Sequence, residues 1–480
     1  MSSVKKNIVY NTVYHILLLI FPLITAPYVS RVLGAGGVGS FSYTHSIAHY
    51  FLLFSMVGMK NYGNRCVAMA RDDREELSHV FSSLYAMQLI TATISIGVYL
   101  IFVFVIDKDF KLLALIQTLY VLSSLFDISW FFFGMEQFKL TVTRGLAIRI
   151  LSIVSVFAFV KTKDDIAIYT LIMAGSTLLS QLALWPFLKA NVDIVKPNLN
   201  RIKQQIKPNL VLFLPVIAVS LYKYMDKIML GAMSGEITEV GFYENTDKII
   251  SIPLSMITAL GTVMLPRMSN LAAKGEVEQS KKYLEVSMLF VVFMGSALAF
   301  GIAGIAPVFA PFYFGEEFAI TGSLITYMAP TVLFICWANV IRTQYLIPNK
   351  MDKEFIISVF LGAIVNLVIN ASLIPYMGAL GAVIGTIVAE LVVALSQTYM
   401  VRKDLDIRQY FINGCPFLVF GLIMFVMVRL LANVSDSPLI TLAIQVILGG
   451  LIYLSLSGAY LILTKNTLVM RLFESRKRKN

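Results

Sequence analysis

Residues 223–248 read KYMDKIMLGAMSGEITEVGFYENTDK, two charged clusters set in segments that are otherwise apolar. Lys223, Asp226 and Lys227 belong to the first segment, residues 209–230; Glu244, Asp247 and Lys248 belong to the second, residues 240–265. A charge at the centre of a bilayer span costs roughly 2.5–3.5 kcal/mol on insertion scales, so six of them unpaired would cost on the order of 15–20 kcal/mol. A wet cavity facing these side chains removes most of that cost.

The flanking sequence justifies the bilayer as the reference solvent. Of 480 residues 58% are hydrophobic and only 14% charged, with a mean hydropathy of +0.78, a balance outside the range of a soluble domain. Apolar runs of about 20 residues, enough to cross a ~30 Å hydrocarbon core, recur along the chain. They fall at 9–30, 40–59, 80–106, 110–135, 142–160, 165–188, 209–230, 240–265, 283–305, 320–346, 354–375, 378–400, 410–431 and 438–463. Each is expected to be a helix, because backbone in lipid must satisfy its own hydrogen bonds and the runs are too long for barrel strands. The expected fold is therefore an all-α integral membrane protein of about 14 helices.

An even number of crossings puts both termini on one side. Basic residues concentrate there: Lys5 and Lys6, the 189–207 loop, the 267–282 loop and the tail Arg476, Lys477, Arg478 and Lys479. The opposite loops hold only Arg31, Lys108, Lys111, Lys161 and Lys163. Both termini are thus expected in the cytoplasm. The formal charge of +11 is spread over these loops, and topology and anionic lipid account for it better than nucleic acid does. The first apolar run is followed by Arg31 and Gly34 where a cleavage site would need small residues, so it reads as a retained helix. Cys66, Cys336 and Cys415 have no metal-ligand spacing and read as packing residues.

The longest basic loop carries Pro197 and Pro208, with Leu199, Ile202 and Ile206 on one helical face, as in an interfacial helix. It divides the chain into a six-helix lobe at 1–188, a cytoplasmic linker at 189–208, a second six-helix lobe at 209–400, and helices 13 and 14 with a basic tail at 401–480. A repeat supports this division. The first copy runs Phe21-Pro22, Arg31-Val32-Leu33-Gly34, then Val38-Gly39-Ser40-Phe41-Ser42-Tyr43; the second runs Leu214-Pro215, Asp226-Lys227-Ile228-Met229-Leu230-Gly231, then Val240-Gly241-Phe242-Tyr243. Six spans separate the copies, so they share one orientation, a parallel repeat about an axis along the membrane normal. Pro22, Pro27, Pro215 and Pro253 can bend their helices, although proline is also simply common in membrane spans.

Lys223 and Lys227 share a helical face with Asp226 close by, and Glu244 precedes Lys248 by four, the favourable order for a pair. Two readings stand for these charges: cavity lining, or interfacial anchoring, since both clusters lie toward the outer ends of their spans where lysine can snorkel. Arg149, two turns into its span, cannot shed its charge and has a fork suited to phosphate; pairing with Asp127 or snorkelling are its alternatives. His15, His45 and His49 lack a third ligand in register, so polar lining or interhelical hydrogen bonding is favoured over metal. Glu390 reads equally as a protonation site or a hydrogen-bonded acid, and Gly381 with Gly385 as a close-packing pair. No Walker loop, zincin pair or nucleophile elbow is present, and no extramembrane segment is long enough for a soluble active site. Neither an enzyme nor a cofactor is expected.

Pro22…Arg31-Val-Leu-Gly…Gly39-Ser-Phe, Asp226-Lys-Ile-Met-Leu-Gly…Val-Gly-Phe-Tyr and the run Ala259-Leu-Gly-Thr-Val-Met-Leu-Pro-Arg267 together resemble Wzx-type oligosaccharide flippases, the polysaccharide transport branch of the MOP superfamily. The resemblance spans essentially the whole chain. It implies a V-shaped pair of six-helix lobes whose spans one, two, seven and eight line a cavity open alternately to each side. The implied substrate is an undecaprenyl-diphosphate-linked oligosaccharide repeat unit, moved to the outer leaflet for capsule, O-antigen or exopolysaccharide synthesis. Within the matching motifs Arg31 and Lys227 carry over as substrate contacts; Arg149, Lys223 and Lys248 rest on the physical reading alone. Asp226, Glu244, Asp247 and Glu390 are candidates for coupling to H+ or Na+. Expected partners are the lipid-linked oligosaccharide, membrane lipids, and a polysaccharide polymerase and glycosyltransferases, in a bacterial cytoplasmic membrane. The rivals are a MATE-like cation-coupled drug exporter, favoured by twelve spans and an acidic cavity, and a membrane polymerase or ligase, which needs a large outer catalytic loop.

Overall fold

The computed structural model describes residues 3–106 and 109–464, with side chains for all of these except 3–20, 106, 215, 218, 219, 222, 256 and 262. Lys108 and the basic tail Arg476, Lys477, Arg478 and Lys479 lie outside the described residues, as do the side chains of Lys5, Lys6, His15 and Pro215. Regular structure among the described residues is entirely helical. Nine of these helices are long and apolar enough to cross a membrane, and a pair spanning residues 316–346, bent by 44°, makes a tenth. The chain is a multi-pass, all-α membrane protein.

It divides into two compact units, the first ending at Gly241 and the second beginning at Phe242. The first holds α1 (Ser3–Met56), α2 (Met59–Ala70), α3 (Arg74–Ile101), α4 (Lys111–Phe126), α5 (Ser129–Gly134), α6 (Phe138–Phe159), α7 (Ile166–Leu182) and α8 (Leu199–Met233). The helix α1 is interrupted at Gly34, whose φ of 68° and ψ of 178° are a conformation that a side chain would resist, so two helical segments meet there.

The short helix α2 shows how this unit packs. Met59, Gly63, Val67 and Ala70 recur at three- and four-residue spacing and are buried, leaving Lys60, Asn61 and Arg65 outward. Gly63 lies under the Trp130 ring and Gly134 against Val67, so the absence of side chains sets the approach of α2 to α5. Trp130, fully buried, donates through Nε1 to Gln88 Oε1 at 2.9 Å, while Gln88 Nε2 donates to the Ser124 and Asp127 carbonyls at 2.7 and 3.0 Å. A buried amide thereby ties α3 to the break between α4 and α5.

The basic segment expected to form a separate interfacial helix is continuous with the next span. Asn198 caps α8, and the helix runs on through Pro208 to Met233. Its Ile202 is buried in the core around Trp130, whereas Leu199 and Ile206 stay exposed. Arg201 pairs it to Glu76 of α3 at 2.7 Å, and Arg74 of α3 holds Asp193 of the preceding segment at 2.9 Å. The Arg74 guanidinium holds the Asp193 carboxyl below the usual carboxylate range, and because both side chains are solvent-exposed the stabilisation is small.

The second unit contains most of α9 (Ile237–Lys274), then α10 (Val277–Phe314), α11 (Ala319–Met328), α12 (Thr331–Ile341), α13 (Asp352–Met377), α14 (Ala379–Val401), α15 (Ile407–Leu430) and α16 (Pro438–Leu463). Gly381 and Gly385 let α14 close against the backbone of Leu373 and Ile374 and against Asn370, the packing role expected for that pair. The last two helices are integral to this unit. Gly414 and Gly421 of α15 seat Val292 and Phe300 of α10, and Tyr453 of α16 donates to the Phe293 carbonyl at 2.7 Å.

Candidate functional site

The repeated Val-Gly pair makes the first contact of interest. A Cβ placed on Gly39 would strike the carbonyl of Ile237, and one placed on Gly241 would strike the carbonyl of Ala35. Gly39 and Gly241 differ by 202 positions (241 less 39), and so do Ala35 and Ile237 (237 less 35). Residue i of one copy therefore meets residue j of the other, and their equivalents meet in return, the signature of a two-fold contact. One turn beyond Gly39, the Tyr43 ring lies on Gly231 of α8. Both copies thus touch through backbone, at glycines that the repeat itself supplies.

One turn before Gly231 lie the charges. Lys223 is exposed, but Asp226 and Lys227 are only 1% and 6% exposed, and both are engaged by neighbouring groups. Lys227 is enclosed by protein. His49 lies within electrostatic reach of Lys223, Lys227 and also Lys60 of α2. It accepts or donates at Nδ1 to the Tyr120 hydroxyl at 2.9 Å and stacks on Tyr224 at 3.8 Å, while His45 packs against Tyr120 at 4.5 Å. The two histidines therefore serve interhelical packing and hydrogen bonding. Among the described residues no three His, Cys, Asp or Glu side chains come together as a metal site.

The other predicted residues are distributed as follows. Arg31 is exposed, three positions before Gly34. Arg149 is half-buried and, among the described residues, has no hydrogen bond or ion pair; it lines a cavity of about 20 Å³ with Thr25, Ser152 and Tyr169. That volume holds a single water, not a diphosphate. Asp127 does not pair with it, because its carboxylate accepts from the Ser129 amide at 3.0 Å and hydroxyl at 2.5 Å. In the second unit, Glu244 and Lys248 pair at 3.1 Å, with side chains 17% and 32% exposed, and Asp247 accepts from Ser251 at 3.4 Å. Glu390 lies within electrostatic reach of Arg342, which opens a π-turn at Arg342–Leu346. Sequence reading passed over Lys60 and Arg342. The first lies just past an apolar run, and the second lies at the end of one, 48 positions from Glu390 (390 less 342).

Residues 4–272, over half of the chain, match the family described as polysaccharide biosynthesis protein. The chain belongs to that family. It is 25% identical over 403 residues to a protein of Shigella dysenteriae provisionally named an O-antigen transporter, covering 82% of this chain and 98% of that one. A protein of the same name from Escherichia coli K12 is 21% identical over 407 residues, 84% of this chain and 97% of its own. Among solved structures, the lipid II flippase MurJ in an inward closed conformation superposes with a TM-score of 0.78 at 13% identity, over 96% of this chain and all of that one. An inward-facing MATE multidrug transporter of the MOP superfamily gives 0.60 at 14% identity, over 80% of this chain and 98% of its own. The fold of this family member is the one these flippase and transporter structures share.

Proposed function

We propose that this protein moves undecaprenyl-diphosphate-linked oligosaccharide repeat units from the cytoplasmic to the outer leaflet by alternating access. In this reading it crosses the bacterial cytoplasmic membrane fourteen times, with both termini in the cytoplasm. The observation that carries it is Lys227, a charge 6% exposed, held in the second copy of a repeated motif and on the same helix as Lys223. A family of polysaccharide biosynthesis proteins, with relatives named for O-antigen transport, supports the substrate class.

The chemistry follows from the substrate's three parts. Sugar and diphosphate are too polar for hydrocarbon, whereas the polyprenyl tail remains in lipid beside the protein. Enclosed cations lower the transfer cost of the diphosphate, because an ion in a low-dielectric site is stabilised far more by an opposite charge than it would be in water. An inside-negative potential adds roughly 2.3 kcal/mol per charge per 100 mV in favour of outward movement of anions, less any countercharge carried along. Asp226, Glu244, Asp247 and Glu390 are the carboxylates at which a coupling H+ or Na+ would be held. Dependence of flipping on an imposed pH or sodium gradient tests that assignment.

The direct test is flipping of a fluorescent lipid-linked oligosaccharide in vesicles reconstituted with wild-type protein or Lys227→Glu. The variant should lose flipping at equal protein level; unchanged flipping refutes the role of Lys227. The MATE likeness makes a cation exporter the comparator on the same fold. Export of small cationic dyes by vesicles that leave the glycolipid unmoved would favour that reading.

A further inference from the structure

The second unit contains an apolar cavity of about 520 Å³ walled by α10, α12, α14 and α15. Leu333, Trp337, Leu395, Phe411 and Leu418 are among its lining residues, and its one charged member is Arg408. Leu395 and Phe411 are 58% and 57% exposed, so the cavity opens on the outer surface of the unit, where a membrane protein meets acyl chains. An apolar groove in that position is not left empty.

Its dimensions narrow the choice of occupant. The lining on α15 runs from Ile407 to Leu418, which at 1.5 Å per residue is about 16 Å, or one leaflet of a ~30 Å core. A groove of that length takes one acyl chain and is far shorter than an extended polyprenyl chain. Arg408 stands at the first turn of α15, just beyond Arg402 and Lys403. Among the described residues it has no hydrogen bond or ion pair, and the nearby Asp406 carboxylate is taken up in capping the amide of Gln409 at 3.1 Å. The groove therefore ends, at the first turn of α15, in an exposed cation with no partner among the described residues.

We propose that this groove binds an anionic glycerophospholipid of the bilayer, one acyl chain lying along α15 and the phosphate on Arg408. In the orientation given above the lipid belongs to the cytoplasmic leaflet, where anionic headgroups attract basic side chains.

The test uses the full-length protein in nanodiscs with phosphatidylglycerol carrying a diazirine at mid-chain, and phosphatidylcholine with the same chain as reference. Crosslinks should map to the groove walls, Val292 and residues 333–337 and 391–418, and Arg408→Gln should lower phosphatidylglycerol labelling about five-fold, one basic charge's worth, while leaving phosphatidylcholine labelling as it was. Leu395→Trp, which fills the groove, should suppress both. Arg408→Gln is an exposed change and keeps the experiment decisive if Leu395→Trp fails to fold. Equal labelling of Arg408→Gln and wild type, or crosslinks confined to other helices, would overturn the proposal. So would displacement of the probe by a polyprenyl phosphate but not by phosphatidylglycerol, which would make the occupant the substrate's own tail.

Discussion

Replacing Gly39 with alanine is the sharpest perturbation available, because the new methyl would meet the carbonyl of Ile237 and not a side chain that can turn aside. Overpacking of this kind costs about 1–3 kcal/mol, and a backbone neighbour puts Gly39→Ala in the upper half, about 2–3 kcal/mol, or roughly 30- to 150-fold in an equilibrium constant. The two segments must part or the unit must loosen. A cysteine at Thr238, whose methyl lies beside Gly36, reports the first outcome through its maleimide labelling rate, and thermal unfolding reports the second. Labelling would be done with Cys66, Cys336 and Cys415 replaced. Gly97→Ala is the control, since nothing lies within 4 Å of a Cβ there, and a helical glycine gains roughly 0.5–1 kcal/mol on becoming alanine. Gly241→Ala should match Gly39→Ala, and the double variant should cost less than the sum, because one parting relieves both clashes. If Gly39→Ala labels and melts like Gly97→Ala, the reciprocal contact is wrong. Strict additivity in the double variant would equally break the two-fold reading.

Three further outcomes are expected. Lys227→Ala should abolish glycolipid flipping while the exposed Lys223→Ala reduces it less, as measured by initial rate in reconstituted vesicles at matched protein. Gln88→Leu leaves the buried Trp130 indole without its acceptor, at a cost of about 1–3 kcal/mol, seen as a lowered unfolding midpoint that Trp130→Phe in the same chain partly restores. The Arg74–Asp193 pair should be acid-sensitive. Because the folded carboxyl is held low, its contribution is complete above the usual carboxylate range and disappears as pH falls through the depressed value. Proteolysis of the 189–198 segment should rise over that window in wild type, less so in Asp193→Asn, and high salt should blunt the difference.

Length and hydropathy make the all-helical membrane fold legible, because backbone in lipid must satisfy its own hydrogen bonds, although nine span-length helices and one bent pair stand among the described residues where fourteen spans are expected. The linker was not legible in the same way. A proline inside a helix costs about 3 kcal/mol or more, yet α8 begins at Leu199 and passes through Pro208. What decides the matter is tertiary: Ile202 in the core and the Arg201–Glu76 pair hold the turns before Pro208 in place. The repeat was visible as Leu-Gly and Val-Gly pairs, but their role depends on which backbone lies opposite, and sequence spacing carries no such information. The nearness of Arg342 to Glu390 is hidden from spacing for the same reason.

Under the proposed function, the burial of Lys227 bears on how a substrate could change the protein's state. A ligand shifts a conformational equilibrium only by its difference in affinity for the two states, and reversing a 1:99 ratio takes about 5.5 kcal/mol. An exposed ion pair supplies about 0–1 kcal/mol and would leave the equilibrium nearly unmoved. Hydrogen bonds to charged groups in an enclosed site contribute about 1.5–3 kcal/mol each, so two to four of them on a diphosphate reach the required range. They act only if made in one state and broken in the other. Lys227 is one helical turn from Gly231, and Gly231 carries the Tyr43 ring one turn from the Gly39 contact. A displacement that parts residues 35–39 from 237–241 pulls, through Tyr43 on Gly231, on the turn of α8 that follows this lysine, so its hydrogen bonds to a bound phosphate would differ between the two states.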